Sequence, residues 1–116
     1  MQLHRFDAAV GQPISRHGSR FVQCPLTGPD GGVRAACFHL PPGGLIGRHQ
    51  AATRQLLCVV GGDGWVSGAD GARVPIAAGQ AASWERGEQH ETGTDGGMTA
   101  IVLEGDNFTV WAVPLG

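Results

Sequence analysis

The sequence predicts an all-β fold in which about ten short antiparallel strands close into a sandwich, jelly roll or barrel. Two observations favour this class. The chain has 20 glycines and 7 prolines among 116 residues, which is typical of many short strands joined by turns. No segment repeats apolar residues at helical spacing over three turns, so we expect helix to be minor or absent.

The candidate strands are short apolar runs that end at glycine, proline or charged residues. Residues 1–19 are polar and are expected to form an irregular arm or a short edge strand. We expect hairpin turns at Gly61–Gly64 and at Asp70-Gly71, and a charged loop at 85–89 that ends at His90. The predicted strands are 21–24, 33–40, 45–48, 55–60, 65–67, 73–76, 82–84, 98–103 and 108–113.

Composition excludes several functions. The net charge of −2 indicates neither a nucleic-acid partner nor an anionic membrane surface. All eight basic residues are arginine, so Schiff-base chemistry on lysine is excluded, and the absence of tyrosine excludes a phenolic acid. Three widely spaced cysteines, Cys24, Cys37 and Cys58, favour buried thiols in a reducing cytosol. With no signal-type or membrane-length apolar run, the expected location is cytoplasmic.

Two spaced patterns carry the functional information: Gly43-x5-His49-x-Ala51-x3-Gln55-x6-Gly62 and Gly79-x5-Glu85-x-Gly87-x2-His90-x3-Thr94. They resemble the two motifs of the cupin superfamily, G-x5-H-x-H-x3-E-x6-G and G-x5-P-x-G-x2-H-x3-N. Every spacing is kept, and six of the ten named positions match, three in each motif. The resemblance covers residues 33–104. It implies a small bacterial-type cupin over residues 1–116, a double-stranded β-helix or jelly-roll barrel with residues 1–19 as its arm.

The resemblance also implies a metal site, and the departures from the motifs fall on that site. In cupins the positions of His49, Ala51, Gln55 and His90 hold a divalent ion. The methyl group of Ala51 cannot ligate a metal, and Gln55 offers a carbonyl oxygen without a negative charge. We therefore expect at best three ligands, His49, Gln55 and His90, for one divalent transition metal: Zn, Fe, Mn or Ni.

A polar pocket is the favoured interpretation of these residues, because inward polar groups in a barrel need hydrogen-bonding partners. The pocket is expected to include His49, Gln55, His90 and Trp84. The candidate catalytic acids and bases are Glu85, Glu88 and His39. His4 and His17 lie in the arm, which in some cupins folds over the barrel mouth, but neither has ligand spacing of its own.

Three hypotheses of different classes remain open at this stage. The first is a binding protein that holds a small organic molecule between His49, Gln55 and His90. The second is a metal-dependent oxygenase, isomerase or lyase that uses the same three residues. The third is an inert structural or dimerisation barrel, which predicts an interior filled by apolar side chains. Fold alone does not choose between them, because cupins support many chemistries.

Alternation along the strand at 55–60 predicts a partner. If Gln55 points into the barrel, Leu57 and Val59 do so too, and Leu56, Cys58 and Val60 point outward. That outward face is too apolar for water, so a second sheet, the arm or another subunit is expected to cover it. A homodimer is the favoured interpretation.

Overall fold

A computed structural model describes residues 1–115, which form nine strands and two short 3₁₀ turns. The predicted strand-rich architecture is confirmed. The two 3₁₀ turns are η1 (Ala8–Val10) and η2 (Arg16–Gly18). The strands are β1 (Gln12–Ile14), β2 (Phe21–Pro25), β3 (Arg34–Leu40), β4 (Leu45–Gln50), β5 (Arg54–Ser67), β6 (Val74–Ala77), β7 (Ala81–Trp84), β8 (Gln89–Gly93) and β9 (Met98–Gly105).

The strands form one curled antiparallel sheet in the order β1-β2-β3-β9-β5-β8-β4, with β6 and β7 also paired to β5. Strand β5 organises the barrel because its first half pairs with β9 and β7, and its second half pairs with β6 and β8. The apolar core lies on the concave side of this sheet. It contains Phe21, Phe38, Leu40, Ile46, Leu57, Val59, Val66, Ile76, Trp84, Met98, Ala100 and Val102.

The hairpin turn predicted at Gly61–Gly64 is wrong, because β5 runs through these residues without reversing. The pairing of β5 with β9 shifts in register between Val59 and Gly61, where the strand bends from one half of the barrel to the other. A Cβ at Gly62 would lie 2.1 Å from the carbonyl oxygen of Gly97, and one at Gly64 would lie 2.1 Å from that of Gly93. These glycines therefore permit close backbone approach rather than a turn.

The last predicted strand, 108–113, is also wrong, since these residues have no ladder partner. Strand β9 already has β3 on one side and β5 on the other, so the chain that leaves it at Gly105 finds no free edge beside it. Residues 108–115 instead cross the outer side of the barrel and line a groove there with Leu56, Ala81 and Ser83. Phe108 is held by Arg54, whose guanidinium donates to the Phe108 carbonyl oxygen.

Other local predictions have mixed outcomes. The hairpin predicted at Asp70-Gly71 is present and joins β5 to β6, with Val66 opposite Val74. The sequence did not predict β8, the strand that carries His90, because its polar residues resembled a continuation of the charged loop. Among the described residues, no helix has the length and apolar character needed to span a membrane.

The inside–outside alternation predicted for β5 is observed. Leu57 and Val59 are buried in the core, Leu56 and Cys58 are half-buried, and Val60 is exposed. The C-terminal segment 108–115 covers part of the outward face near Leu56. Among residues 1–115, neither a second sheet nor the N-terminal arm lines that groove.

Candidate functional site

A cavity of about 80 Å³ is lined by the residues that the motif spacing predicted together. His49 on β4, Gln55 on β5 and His90 on β8 all line it. The cavity, called the chamber below, also draws side chains from the arm and from β1, β2, β3 and β9. Its other lining residues are Ile14, Arg16, His17, Ser19, Phe21, Gln23, Phe38, Ile46 and Glu104.

Register brings the two predicted histidines together. His49 and His90 are directly opposite on β4 and β8, and their ring centroids are 4.4 Å apart. Nδ1 of His49 lies 2.7 Å from the carbonyl oxygen of Gly47, which can only accept, so this nitrogen carries the proton. Nε2 of His49 is consequently the nitrogen with a free lone pair.

His90 is the most constrained polar group of the chamber. Its side chain is buried, with 2% exposure for the residue, and its Nε2 has no hydrogen-bonding partner among the described residues. Burial lowers the pKa of His90 to about 4, with smaller contributions from His49 and Arg48. The imidazole is therefore neutral at neutral pH. A buried unpaired nitrogen of this kind is costly unless a ligand, ion or water meets it.

Trp84 supports His90 rather than lining the chamber. The two ring centroids are 4.8 Å apart at an angle of 47°. The indole Nε1 donates to the carbonyl oxygen of Ser67 at 3.1 Å, so the indole is fixed within the core. Trp84, which we expected in the pocket, thus orients His90 from behind.

Glu104 is a chamber residue that the sequence did not identify. It lies opposite Gln55 on β9, and Nε2 of Gln55 donates to its carboxylate at 3.1 Å. This bond leaves the amide oxygen of Gln55 free. Side-chain alternation along β9 could have predicted this position. Met98, Ala100 and Val102 point inward, so Glu104 is the inward acidic residue that ends this series.

The arm closes the chamber through η2. The ring of His17 stacks on that of His49, with centroids 4.5 Å apart and planes 6° from parallel. The backbone of His17 has a φ of 59°, a left-handed conformation uncommon outside glycine. Ser19 anchors the arm, because its hydroxyl oxygen accepts from the Gly47 backbone N–H at 2.8 Å. No spacing in the sequence could predict this contact.

The three candidate acid–base residues lie away from the chamber. Glu85 is exposed and pairs with Nε of Arg54 at 3.1 Å, and the carboxylate of Glu88 accepts from the Glu85 backbone N–H. His39 faces the outer side of β3, because its neighbour Phe38 occupies the inward position. Its Nε2 lies 2.8 Å from the carbonyl oxygen of Phe6 in the arm.

The donor set for a metal is sparse. The described part of the chain contains no group of three or more His, Cys, Asp or Glu residues arranged to hold a metal ion. Ala51 is buried and contributes only its methyl group. The donors at the motif positions are Nε2 of His49, Nε2 of His90 and the neutral amide oxygen of Gln55. The two imidazoles fit a divalent ion, whereas the third donor brings no charge to offset it.

A second cavity of about 250 Å³ adjoins the chamber and shares Gln23 and Glu104 with it. This vestibule contains the guanidinium of Arg34, whose Nη2 lies 3.7 Å from the Glu104 carboxylate. One contact at that distance leaves most of the guanidinium donors free. Pro25, Pro29, Ala36 and Val102 form the apolar part of its wall.

No family model and no curated protein matches this sequence. Solved structures do match. A cupin 2 conserved barrel domain protein from Salinispora arenicola superposes with a TM-score of 0.75 at 20% identity, over 91% of this chain and 89% of that one. A protein from Thermotoga maritima described as a predicted oxalate decarboxylase gives 0.72 at 20% identity, over 90% and 100%.

The cupin domain of Cnp3 from Schizosaccharomyces pombe gives a TM-score of 0.68 at 10% identity, over 75% of this chain. The chain spans 65% of that domain's length. These identities are low, and the likeness establishes the fold. The cupin-type barrel predicted from two degenerate motifs is confirmed.

Proposed function

Because the chain has the cupin fold, we propose that it binds a small organic molecule in the chamber and its vestibule. The observation that carries this proposal is the unpaired Nε2 of the buried, neutral His90. A ligand hydroxyl or acid proton donated to this nitrogen would satisfy it. The inert-barrel hypothesis predicted an apolar filling, whereas the chamber wall carries histidine, glutamine and glutamate side chains.

The vestibule favours a ligand with an acidic group. Arg34 has free guanidinium donors, and a planar guanidinium suits a carboxylate in two-point contact. The chamber alone, at about 80 Å³, holds only a few heavy atoms, so a larger ligand would extend into the vestibule. We therefore propose a small hydroxy acid or dicarboxylic acid. The structural neighbour described as a predicted oxalate decarboxylase is consistent with this class.

A thermal-shift screen of the metal-free full chain tests this function. Hydroxy acids, dicarboxylic acids and neutral sugars of similar size are compared at neutral pH. A ligand at about 100 times its Kd stabilises the native state by about 2.7 kcal/mol, which corresponds to a rise in Tm of about 10 °C. We expect the acids, not the sugars, to produce it.

Three variants sharpen the screen. Arg34→Gln should weaken the response to acids, and His90→Gln should weaken the response to every ligand. His4→Gln, an exposed arm residue, should leave the response unchanged. The proposal fails if no compound raises the Tm, or if His90→Gln responds as the native protein does.

A metal-dependent oxygenase, isomerase or lyase is the second candidate function. It is favoured by the two free imidazole nitrogens of His49 and His90. A divalent ion held there with Gln55 would supply Lewis acidity or redox chemistry. Elemental analysis of the purified protein and calorimetric titration with Zn²⁺, Mn²⁺, Fe²⁺ and Ni²⁺ test this candidate.

Gln55→Glu restores the missing negative charge and places it opposite the Glu104 carboxylate, which now accepts from Gln55. The variant should bind the ion more tightly than the native protein, because a divalent ion offsets the charge of both carboxylates. His49→Ala should abolish binding. If neither the native protein nor Gln55→Glu takes up metal, the metal-dependent candidate is rejected and the metal-free binding function is retained. The cytoplasmic location stays a prediction.

A further inference from the structure

Two of the three cysteines are direct neighbours across the outer half of the barrel. Cys24 on β2 and Cys37 on β3 are Cα partners in the antiparallel ladder, so their side chains leave the sheet on the same face. Both are buried free thiols. Cys58 lies on β5, beyond the intervening strand β9. The chamber uses none of the three.

The ladder brings Cys24 and Cys37 within the Cα range of a disulfide. Two residues along the same ladder, Leu26 N–H donates to the Ala35 carbonyl oxygen at 2.8 Å, which marks a hydrogen-bonded pair. Hydrogen-bonded pairs recur every second residue, so the cysteines are such a pair, with Cα atoms about 5.5 Å apart. Disulfides span Cα separations of roughly 4.4–6.8 Å, but they also need Cβ atoms about 3.5–4.5 Å apart, which is closer than in a hydrogen-bonded pair. Formation of the bond therefore requires β2 and β3 to shift slightly toward each other at this pair.

The N-terminal arm covers this thiol pair. Sγ of Cys24 donates to the Asp7 carbonyl oxygen at 3.2 Å. Nε2 of His39 carries a proton toward the Phe6 carbonyl oxygen and lies 3.5 Å from Sγ of Cys37. A Cβ at Gly11 would lie 2.7 Å from Sγ of Cys24, so the arm packs directly on that sulfur.

We propose that Cys24 and Cys37 form a reversible oxidation site for hydrogen peroxide, protected by the arm, and that their disulfide releases the arm. The Cys37 thiolate attacks a peroxide oxygen and breaks the O–O bond, which gives a sulfenic acid and one water after proton transfer. The Cys24 thiolate then attacks that sulfur, the S–O bond breaks and a second water leaves. The two thiols together lose two electrons and two protons, and the peroxide is reduced to two waters.

Two features set the behaviour of the site. Burial raises the pKa of the Cys37 thiol, so oxidation is slow while the arm is closed and requires the arm to lift. The disulfide removes the S–H group that Cys24 donates to Asp7. The arm then loses an anchor, and η2, which carries His17 over the chamber, is held less firmly.

Peptide mapping of the full chain tests the site directly. Tryptic cleavage after arginine places each cysteine on its own peptide, 21–34, 35–48 and 55–73. The chain is treated with hydrogen peroxide, remaining thiols are alkylated, and peptides are mapped without reductant. We expect a linked 21–34/35–48 product, lighter by two hydrogens and reversed by dithiothreitol, with Cys58 alkylated. Free Cys24 and Cys37, a link to Cys58, or irreversible oxidation of single cysteines would overturn the proposal.

A glycine pair tests the role of the arm without changing a sulfur. Gly11→Ala forces the arm from Cys24 and should accelerate disulfide formation several-fold. Gly96→Ala, whose Cβ meets nothing within 4 Å, should not. Brief native proteolysis should also cleave the oxidised chain faster than the reduced chain after Arg5 and Arg16. Protection by the arm is contradicted if Gly11→Ala and Gly96→Ala form the disulfide at the same rate and the oxidised and reduced chains are cleaved at the same rate.

Discussion

His90 lies where no group of the described residues hydrogen-bonds to its Nε2, and its neutrality is a consequence of its burial. Burial is the largest cause of its lowered pKa, about 4, and the nearby His49 and Arg48 add to it. In the unfolded chain the pKa returns to an ordinary value near 6.5. The difference makes the stability of the metal-free protein depend on pH.

Well above a pH of about 6.5 neither state binds this proton, so His90 contributes nothing to the pH dependence there. Between about 6.5 and 4 the unfolded state binds a proton that the native state does not, so stability falls with decreasing pH. The loss levels off below the folded pKa at up to about 3 kcal/mol. Denaturant unfolding at several pH values, in the presence of a chelator, measures it.

His90→Gln removes the titrating group and should flatten this part of the profile, whatever its effect on stability at pH 7. His4→Gln, exposed on the arm, should retain the native slope. A native slope that persists in His90→Gln would assign the effect to another group.

The sequence predicted those site residues whose spacing within a motif sets their position in the strand pairing. His49 and His90 face each other because β4 and β8 pair there, and Gln55 follows on the next strand of the chain. Glu104 and His17 were missed for different reasons. Glu104 required the inward series of β9 to be extended by one position, whereas His17 reaches the chamber through a contact between distant segments.

At the level of elements, glycine indicates either a turn or a close approach of two backbones, and the sequence alone did not distinguish these two roles. Asp70-Gly71 marks a hairpin, but Gly61–Gly64 lies within β5, where neighbouring backbones approach Gly62 and Gly64 too closely for a side chain. The 108–113 segment has strand-like composition, yet pairing needs a free edge. Both errors arise because strand formation depends on neighbours in three dimensions, and local sequence propensity does not specify those neighbours.

The docking of η2 on β4 depends on such a glycine. A Cβ at Gly47 would lie 1.6 Å from the carbonyl oxygen of His17, and the backbone N–H of Gly47 donates to Ser19. Two backbones are thus in direct contact where the arm closes the chamber. A side chain at position 47 is incompatible with that closed arrangement.

We expect Gly47→Ala to displace η2 and to lower the free energy of unfolding by about 1–3 kcal/mol, the usual cost of overpacking. Trypsin should cleave faster after Arg16 in the variant, because η2 is no longer held. Gly96→Ala is the matched control, since its Cβ would meet open space. Unchanged stability and cleavage in Gly47→Ala would mean that the arm does not dock there in solution.

At the scale of the whole molecule, the barrel was predictable because two motifs kept every spacing with a hairpin between them. The outer surface of the barrel was less predictable from the sequence. The C-terminal segment covers only part of the outward face of β5 and leaves Val60 exposed. The same segment presents Trp111 at 88% exposure, with Val113 and Leu115 also exposed. Large apolar side chains grouped in this way favour association.

We therefore expect a homodimer that buries the C-terminal segment and the outer face of β5. Sedimentation velocity at micromolar concentrations should show the dimer for the native chain. Trp111→Ser should shift it toward monomer, because a buried tryptophan commonly contributes 2 kcal/mol or more, about thirtyfold in Kd. Leu3→Ser, an equally exposed apolar residue in the arm, should leave the dimer intact. A monomeric native chain contradicts the dimer, and equal weakening by both variants places its interface elsewhere.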